Sequence, residues 1–293
     1  MRRAFTFIEM LVVLVILAAL TVVAVQSLEP VAQQSRAAAT TRSLEDLKSA
    51  LLTVDHTGGH AVVGGFVADM GRLPDLSSPQ AFYNDLALGA GLPLAQNYNV
   101  TSGTGSATAV ITCGWRGPYL RTAVTSTQFV DGWGKPLSVV VEDGSYDALS
   151  DRILIASTGN PATSIGAAGQ TLSVANFSAS QLSVRMYGLD AAGHRMALTG
   201  TGSAVLHGGI DSLSGGMLTT TGSVSSSGTD LLCNFVAQPP VLLAGPRVVA
   251  VDYTPASGEV MTTYPQALTL TLLPGSSQNI DVLIARESTT STP

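Results

Sequence analysis

Glu9 is a lone carboxylate in a stretch, residues 5–25, that is otherwise free of charge. A charge near a bilayer centre costs a few kcal/mol, so an acid there needs a partner. Arg2 and Arg3 lie ahead of the stretch, too far forward to neutralise it along the same helix. Other reactive side chains are sparse. The four histidines are His56, His60, His194 and His207. His56 and His60 have i, i+4 spacing, but Gly58 and Gly59 between them weaken any helical ligand face, and the Glu of a metalloprotease motif is absent. Gly103-Thr104-Gly105-Ser106 lacks the Lys of a phosphate loop and reads as a flexible turn. The serines have no G-x-S-x-G setting and no evident base. These residues predict a chain that is not an enzyme and uses no cofactor or metal.

Composition agrees with a structural role. The 293 residues are 45% hydrophobic and 12% charged, with a net charge of −6. That is too apolar for a disordered chain. An acidic pI near 5.1 argues against a broad nucleic-acid surface, so no nucleic-acid partner is expected. Two cysteines cannot supply a disulfide-dense scaffold or a four-thiolate zinc site. Cys113 and Cys233 have two readings: a pair formed outside the cytoplasm, worth about 4–5 kcal/mol in the chain-entropy model, or two core thiols.

The elements that carry Glu9 come next. As a helix, residues 5–25 span roughly 31 Å at about 1.5 Å per residue, close to a hydrocarbon core of about 30 Å. Arg2 and Arg3 place the N-terminus on the cytoplasmic side by the positive-inside rule and send the remainder outward. A cleaved secretory signal and a plain anchor both fit the basic start and apolar run, but neither explains Glu9. Beyond the span, residues 26–54 read as continuing helix, with Leu44, Leu47, Leu51 and Val54 at helical spacing. Arg42, Glu45, Asp46 and Lys48 offer surface pairs. Pro30 predicts a kink or break, and Gly58-Gly59 the helix end.

The run Arg2-Arg3-Ala4-Phe5-Thr6-Phe7-Ile8-Glu9-Met10-Leu11-Val12-Val13 resembles the signal of type IV pilins and type II secretion pseudopilins. The resemblance implies cleavage by a prepilin peptidase between Ala4 and Phe5, with methylation of the new amino group on Phe5. It also implies that Glu9 assists assembly by facing a neighbouring subunit's N-terminus. Ala4 replaces the Gly usual before the cut. The partners it implies are the peptidase, other pilin or pseudopilin subunits, an inner-membrane assembly platform, and lipid around residues 5–25. The location it implies is a single pass in a bacterial inner membrane, with the C-terminal part periplasmic or extracellular, and then a filament.

Asp69-Met70-Gly71-Arg72-Leu73-Pro74, Gly114-Trp115-Arg116-Gly117-Pro118-Tyr119-Leu120 and Asp131-Gly132-Trp133-Gly134-Lys135-Pro136 are similar to segments of the major type II secretion pseudopilin. Both Trp residues read as core. That family often binds calcium near the end of its sheet, yet Ser157-Thr158-Gly159-Asn160-Pro161 offers no carboxylate there. Upstream, Glu142, Asp143, Asp147 and Asp151 do not follow an EF-hand order, and a solvated turn is the preferred reading.

Residues 137–141 and 152–156 read as strands of this middle region. From about residue 170 the chain turns to Ser, Thr, Gly and Val, with strands predicted at 182–187, 204–207, 231–236, 247–252, 267–273 and 280–285. The expected fold class is α+β: a long N-terminal transmembrane helix packed on a small antiparallel sheet, followed by an all-β, antiparallel sandwich-like domain. The expected divisions are a leader at 1–4, the helix at 5–57, a pseudopilin-like region at 58–169 and the β-domain at 170–293, with a disordered tail at 288–293. The expected function is a processed, minor or specialised subunit of a type II secretion pseudopilus or type IV pilus-like filament; the alternative is a filament-delivered tip adhesin or secretion-substrate receptor acting through the β-domain.

Overall fold

A computed structural model describes residues 7–58, 60–103, 105, 107–121, 127–141, 152–159, 167–210, 216–236, 242–257 and 261–287. The leader, the acidic patch at 142–151 and the tail at 288–293 lie outside the described residues.

Helix α1 runs over Phe7–Leu51, carried by Leu, Ala, Glu, Gln and Lys with no glycine inside. It passes through Pro30 without ending. Of the kink or break expected there, the break does not occur, because the ring removes one backbone bond of a helix that neighbouring turns still hold. The helix stops earlier than expected. Residues 53–57 are strand β1 (Thr53–Thr57), which turns at Gly58 and pairs with β2 (His60–Gly64), Thr57 opposite His60. Val54 thus belongs to a hairpin and not to the leucine stripe: Gly58, at a φ of 62°, turns the chain between the two strands.

Two short helices follow, α2 (Phe66–Met70) and α3 (Pro79–Tyr83), and a single π turn at Asn84–Leu88. Ser78 caps α3 by accepting from the Ala81 N–H. Strands β3 (Gln96–Thr101) and β4 (Thr108–Cys113) form a hairpin. Strands β5 (Ser138–Val141), β6 (Arg152–Ser157) and β7 (Ala168–Ser173) form an antiparallel sheet in that order. Because β7 pairs with β6, the small sheet extends past residue 170, where a new domain was expected to begin.

The remaining strands are β8 (Gln181–Leu189), β9 (Arg195–Met196), β10 (Thr201–Ile210), β11 (Met217–Thr221), β12 (Ser223–Ser227) and β13 (Asp230–Val236). They are completed by β14 (Gly245–Thr254), β15 (Met261–Thr263), β16 (Gln266–Leu272) and β17 (Ser277–Glu287). One sheet has the order β11-β10-β14-β16; the other has β12-β13-β8-β17-β15, with β9 beside β8. Leu182, Val184, Met186, Cys233, Phe235 and Ile284 from the second sheet share a core with Leu206, Val249, Val251 and Leu272 from the first. The expected all-antiparallel pattern fails at one place, since β17 pairs with β8 in parallel. The chain reaches β17 by leaving the other sheet after β16, and a strand that arrives by a crossover is not held to the reversal a hairpin imposes.

The middle and C-terminal regions are not separately covered bodies. Val100, Ile111 and Cys113 of the β3–β4 hairpin pack with Ile210, Val248 and Ala250 on the outer face of the four-stranded sheet. Strand β14 is therefore buried on both faces.

Candidate assembly segment and the seat of the helix

Ala4 and Phe5, the expected cleavage and modification positions, lie outside the described residues. Glu9 lies in the first turn of α1, where a carboxylate complements the positive end of the helix dipole. Around it the helix is apolar and exposed on all sides: Phe7 is 84% exposed, and Ile8, Met10, Val13, Leu14 and Leu17 are all exposed. Thr21 is the polar exception, and its hydroxyl donates to the Leu17 carbonyl at 2.7 Å. That bond hides the hydroxyl against the helix's own backbone.

Among the described residues no helix is long and apolar enough to cross a membrane. An exposed apolar surface on this scale still requires a cover of lipid or protein.

The second half of α1 behaves differently. Thr40, Leu44, Leu47 and Leu51 are buried along one stripe, and the three leucines pack with Phe66, Met70, Leu86, Ile153, Ile155 and Leu172. The leucine periodicity read from the sequence marks this seat correctly. Arg42, Glu45, Asp46 and Lys48 are exposed, but none of the described ion pairs involves them.

A turn holds the helix from the side. Asp131 accepts the Trp133 and Lys135 N–H groups on one carboxylate oxygen, at 2.9 and 2.8 Å, and the Ser157 hydroxyl on the other, at 2.6 Å. The Gly132 N–H donates to the Thr40 hydroxyl at 2.9 Å, and that hydroxyl donates to the Arg36 carbonyl. Gly132 must lack a side chain here, because a Cβ would sit 2.1 Å from the Arg36 carbonyl oxygen. The Asp-Gly-Trp-Gly motif was visible in the sequence, but its docking partner, Thr40, was not.

Both Trp residues were expected in the core; both are half-buried. The Trp115 indole N–H donates to the Asp85 carbonyl at 2.9 Å, and its ring meets Tyr119 edge-on. Trp133 flanks the turn, and its indole nitrogen is shut from solvent with no partner among the described residues. Close by, Asp69 receives the Tyr119 hydroxyl at 3.1 Å and faces Arg116 at 3.4 Å. Burial holds the Asp69 carboxyl above the usual range despite Arg116, and burial likewise pushes the Tyr119 hydroxyl up.

The two cysteines are not brought together. Cys113 and Cys233 are free, buried thiols in different clusters, one under the β3–β4 hairpin and one between the large sheets. Burial raises both, Cys233 to about 11. The core reading of these residues therefore replaces the paired one. Histidines 56 and 194 are exposed, the latter 3.4 Å from Asp190, and His207 is half-buried on β10. No cluster of metal-binding side chains occurs among the described residues. A shallow groove of about 390 Å³ runs beside the end of α1, lined by Asp46, Ser49, Thr53, Tyr119 and Arg121, among others.

No curated protein matches this chain. Among solved structures, GBS52, the minor pilin in the gram-positive pathogen Streptococcus agalactiae, is 11% identical with a TM-score of 0.26, over 49% of this chain and 62% of that one. Phospholipase PlaB from Legionella pneumophila is 11% identical with a TM-score of 0.20, over 43% of this chain and 30% of that one. This chain thus spans less than two thirds of each, and scores so low leave the fold to be argued from its own strands. At the N-terminus the match is of another kind: residues 1–25 carry the prokaryotic N-terminal methylation motif.

Proposed function

We propose that this chain is a pilin-like structural subunit, cut by a prepilin peptidase between Ala4 and Phe5 and methylated on Phe5. It then packs through α1 into a pilus-like filament. The observation that carries the reading is the contrast along α1: a leading part apolar and exposed on all sides, with one acid in its first turn, and a trailing part seated by one leucine stripe. Before assembly the leading part sits in the bacterial inner membrane as a single pass, with the rest on the periplasmic side. After assembly the same surface is covered by the helices of neighbouring copies, and Glu9 meets the amino group of another subunit's Phe5. The three middle-region motifs favour a type II secretion pseudopilus as the machine, with an inner-membrane platform as assembly partner. The large C-terminal sheets favour a specialised subunit over a densely repeated one.

Intact mass after co-expression with a prepilin peptidase tests the processing. The expected product lacks residues 1–4 and carries one added methyl group. A chain that keeps residues 1–4 beside an active peptidase refutes the reading.

A further inference from the structure

Beside the apolar packing of the β3–β4 hairpin, the C-terminal sheets meet the middle region through close backbone contacts and one buried cation. Arg247 on β14 is 2% exposed, and no carboxylate faces it among the described ion pairs. Its guanidinium instead donates to four carbonyls: Pro246 at 2.7 Å, Leu243 at 2.8 Å, Ala244 at 3.3 Å and, across the joint, Ala68 at 3.5 Å. Leu243 in turn packs in the core beneath α1. Burial pushes the Arg247 guanidinium down to about 10, which still leaves it a cation at neutral pH.

Beside it two backbones lie in direct contact. A Cβ on Gly71 would fall 2.3 Å from the Gly209 Cα, and one on Gly209 would fall 2.7 Å from the Gly71 Cα. Both glycines have positive φ, 65° and 92°, so a side chain at either is opposed by sterics and by conformation. Gly245 repeats the arrangement against Ala68, where a Cβ would come within 2.8 Å. On the far side of the hairpin, the Gly103 N–H donates to Asp252 at 2.7 Å. Contacts this close leave no room for sliding, and separation would strand a desolvated cation from one of its carbonyls.

We infer that Arg247 and the Gly71–Gly209 contact weld the C-terminal sheets to the helix-bearing region, so the chain moves and unfolds as one rigid body and not as a shaft with a tethered module. Any partner met by the C-terminal sheets then meets them at an orientation fixed by α1. The inference rests on the joint itself and stands apart from the filament reading, so processing and assembly results do not bear on it.

The two tryptophans, Trp115 and Trp133, both lie in the middle region, whereas most strands lie beyond it. Tryptophan fluorescence therefore follows the middle region, and pulsed thiol labelling of Cys233, buried between the two large sheets, follows the C-terminal side, during thermal unfolding of the full chain in detergent micelles. The expected result is one coincident transition for the parent chain. Gly209→Ala and Arg247→Ala should each split the two probes or lower both midpoints by more than about 5 °C. Gly64→Ala, where a Cβ meets nothing within 4 Å and φ is not left-handed, should leave the probes coincident and the midpoint unchanged. Separate transitions in the parent chain would overturn the inference, as would unchanged midpoints in both joint variants. Should a joint variant fail to fold, limited proteolysis of the parent decides: a stable C-terminal fragment released ahead of the middle region refutes the weld.

Discussion

Gly132→Ala tests whether the Asp131 turn sets the seat of α1. The new methyl would lie 2.1 Å from the Arg36 carbonyl oxygen, so the turn must back away from the helix. Retreat breaks the bond from the Gly132 N–H to the Thr40 hydroxyl at a residue that is fully buried. A buried donor left without its acceptor costs about 1–3 kcal/mol, and the repacking around Thr40 adds about 1 kcal/mol more. The sum, about 2–4 kcal/mol, corresponds to a midpoint lowered by roughly 3–7 °C for a chain of this size. Thr40→Val removes the acceptor at nearly constant volume and should cost about 1–3 kcal/mol by the same reasoning. Because both variants break one bond, their effects should not add: the double variant should melt within about 1 °C of Gly132→Ala. Gly134→Ala is the comparison. Its φ is 74° and a Cβ there meets nothing within 4 Å, so only backbone strain of about 1–2 kcal/mol applies. The assay is thermal melting in micelles followed by dichroism at the helix band. If Gly132→Ala melts with the parent, or the two single effects add in full, the turn does not seat the helix as described.

Four further outcomes follow from the structure. Leu47→Ala, in the buried stripe of α1, should lose about 2–5 kcal/mol, read as a lowered denaturant midpoint with little change in slope. Glu9→Gln should leave the melting of the soluble-facing regions unchanged and reduce filament yield in a shearing assay by about tenfold or more, a loss of at least ~1.4 kcal/mol at each subunit contact; full yield would remove the assembly role of the acid. Burial lowers the His207 imidazole below its ordinary 6.5. The unfolded chain therefore binds a proton before the folded chain does, so stability falls as pH drops below about 6.5 and levels off below the depressed value. His207→Gln should flatten that stretch of a midpoint-against-pH curve. Thiol titration of the chain kept under non-reducing conditions should find two reactive groups after denaturation and almost none before, since Cys113 and Cys233 are both free and buried; no titratable thiol after denaturation would restore the paired reading.

What the sequence determined by itself was local. The charge-free run around Glu9, the Leu44-Leu47-Leu51 spacing and the alternation of Leu268-Thr269-Leu270-Thr271-Leu272 each fix a period that one backbone geometry can satisfy. Predicted strands at 182–187, 204–207, 231–236, 247–252, 267–273 and 280–285 accordingly all fall within or against strands of the fold. The continuous Val248-Val249-Ala250-Val251 run even carried an unread clue, because a strand apolar at successive positions is covered on both faces. Only the tertiary structure decided what covers it. The second cover is the β3–β4 hairpin, more than a hundred residues away in the chain, and no periodicity encodes such a pairing. The same holds for Thr40 beneath Gly132, for Arg247 bonded to Ala68, for the parallel entry of β17, and for the separation of Cys113 from Cys233. Each depends on which distant backbone arrives within a hydrogen bond's reach, and that is settled when the sheets close on their shared cores.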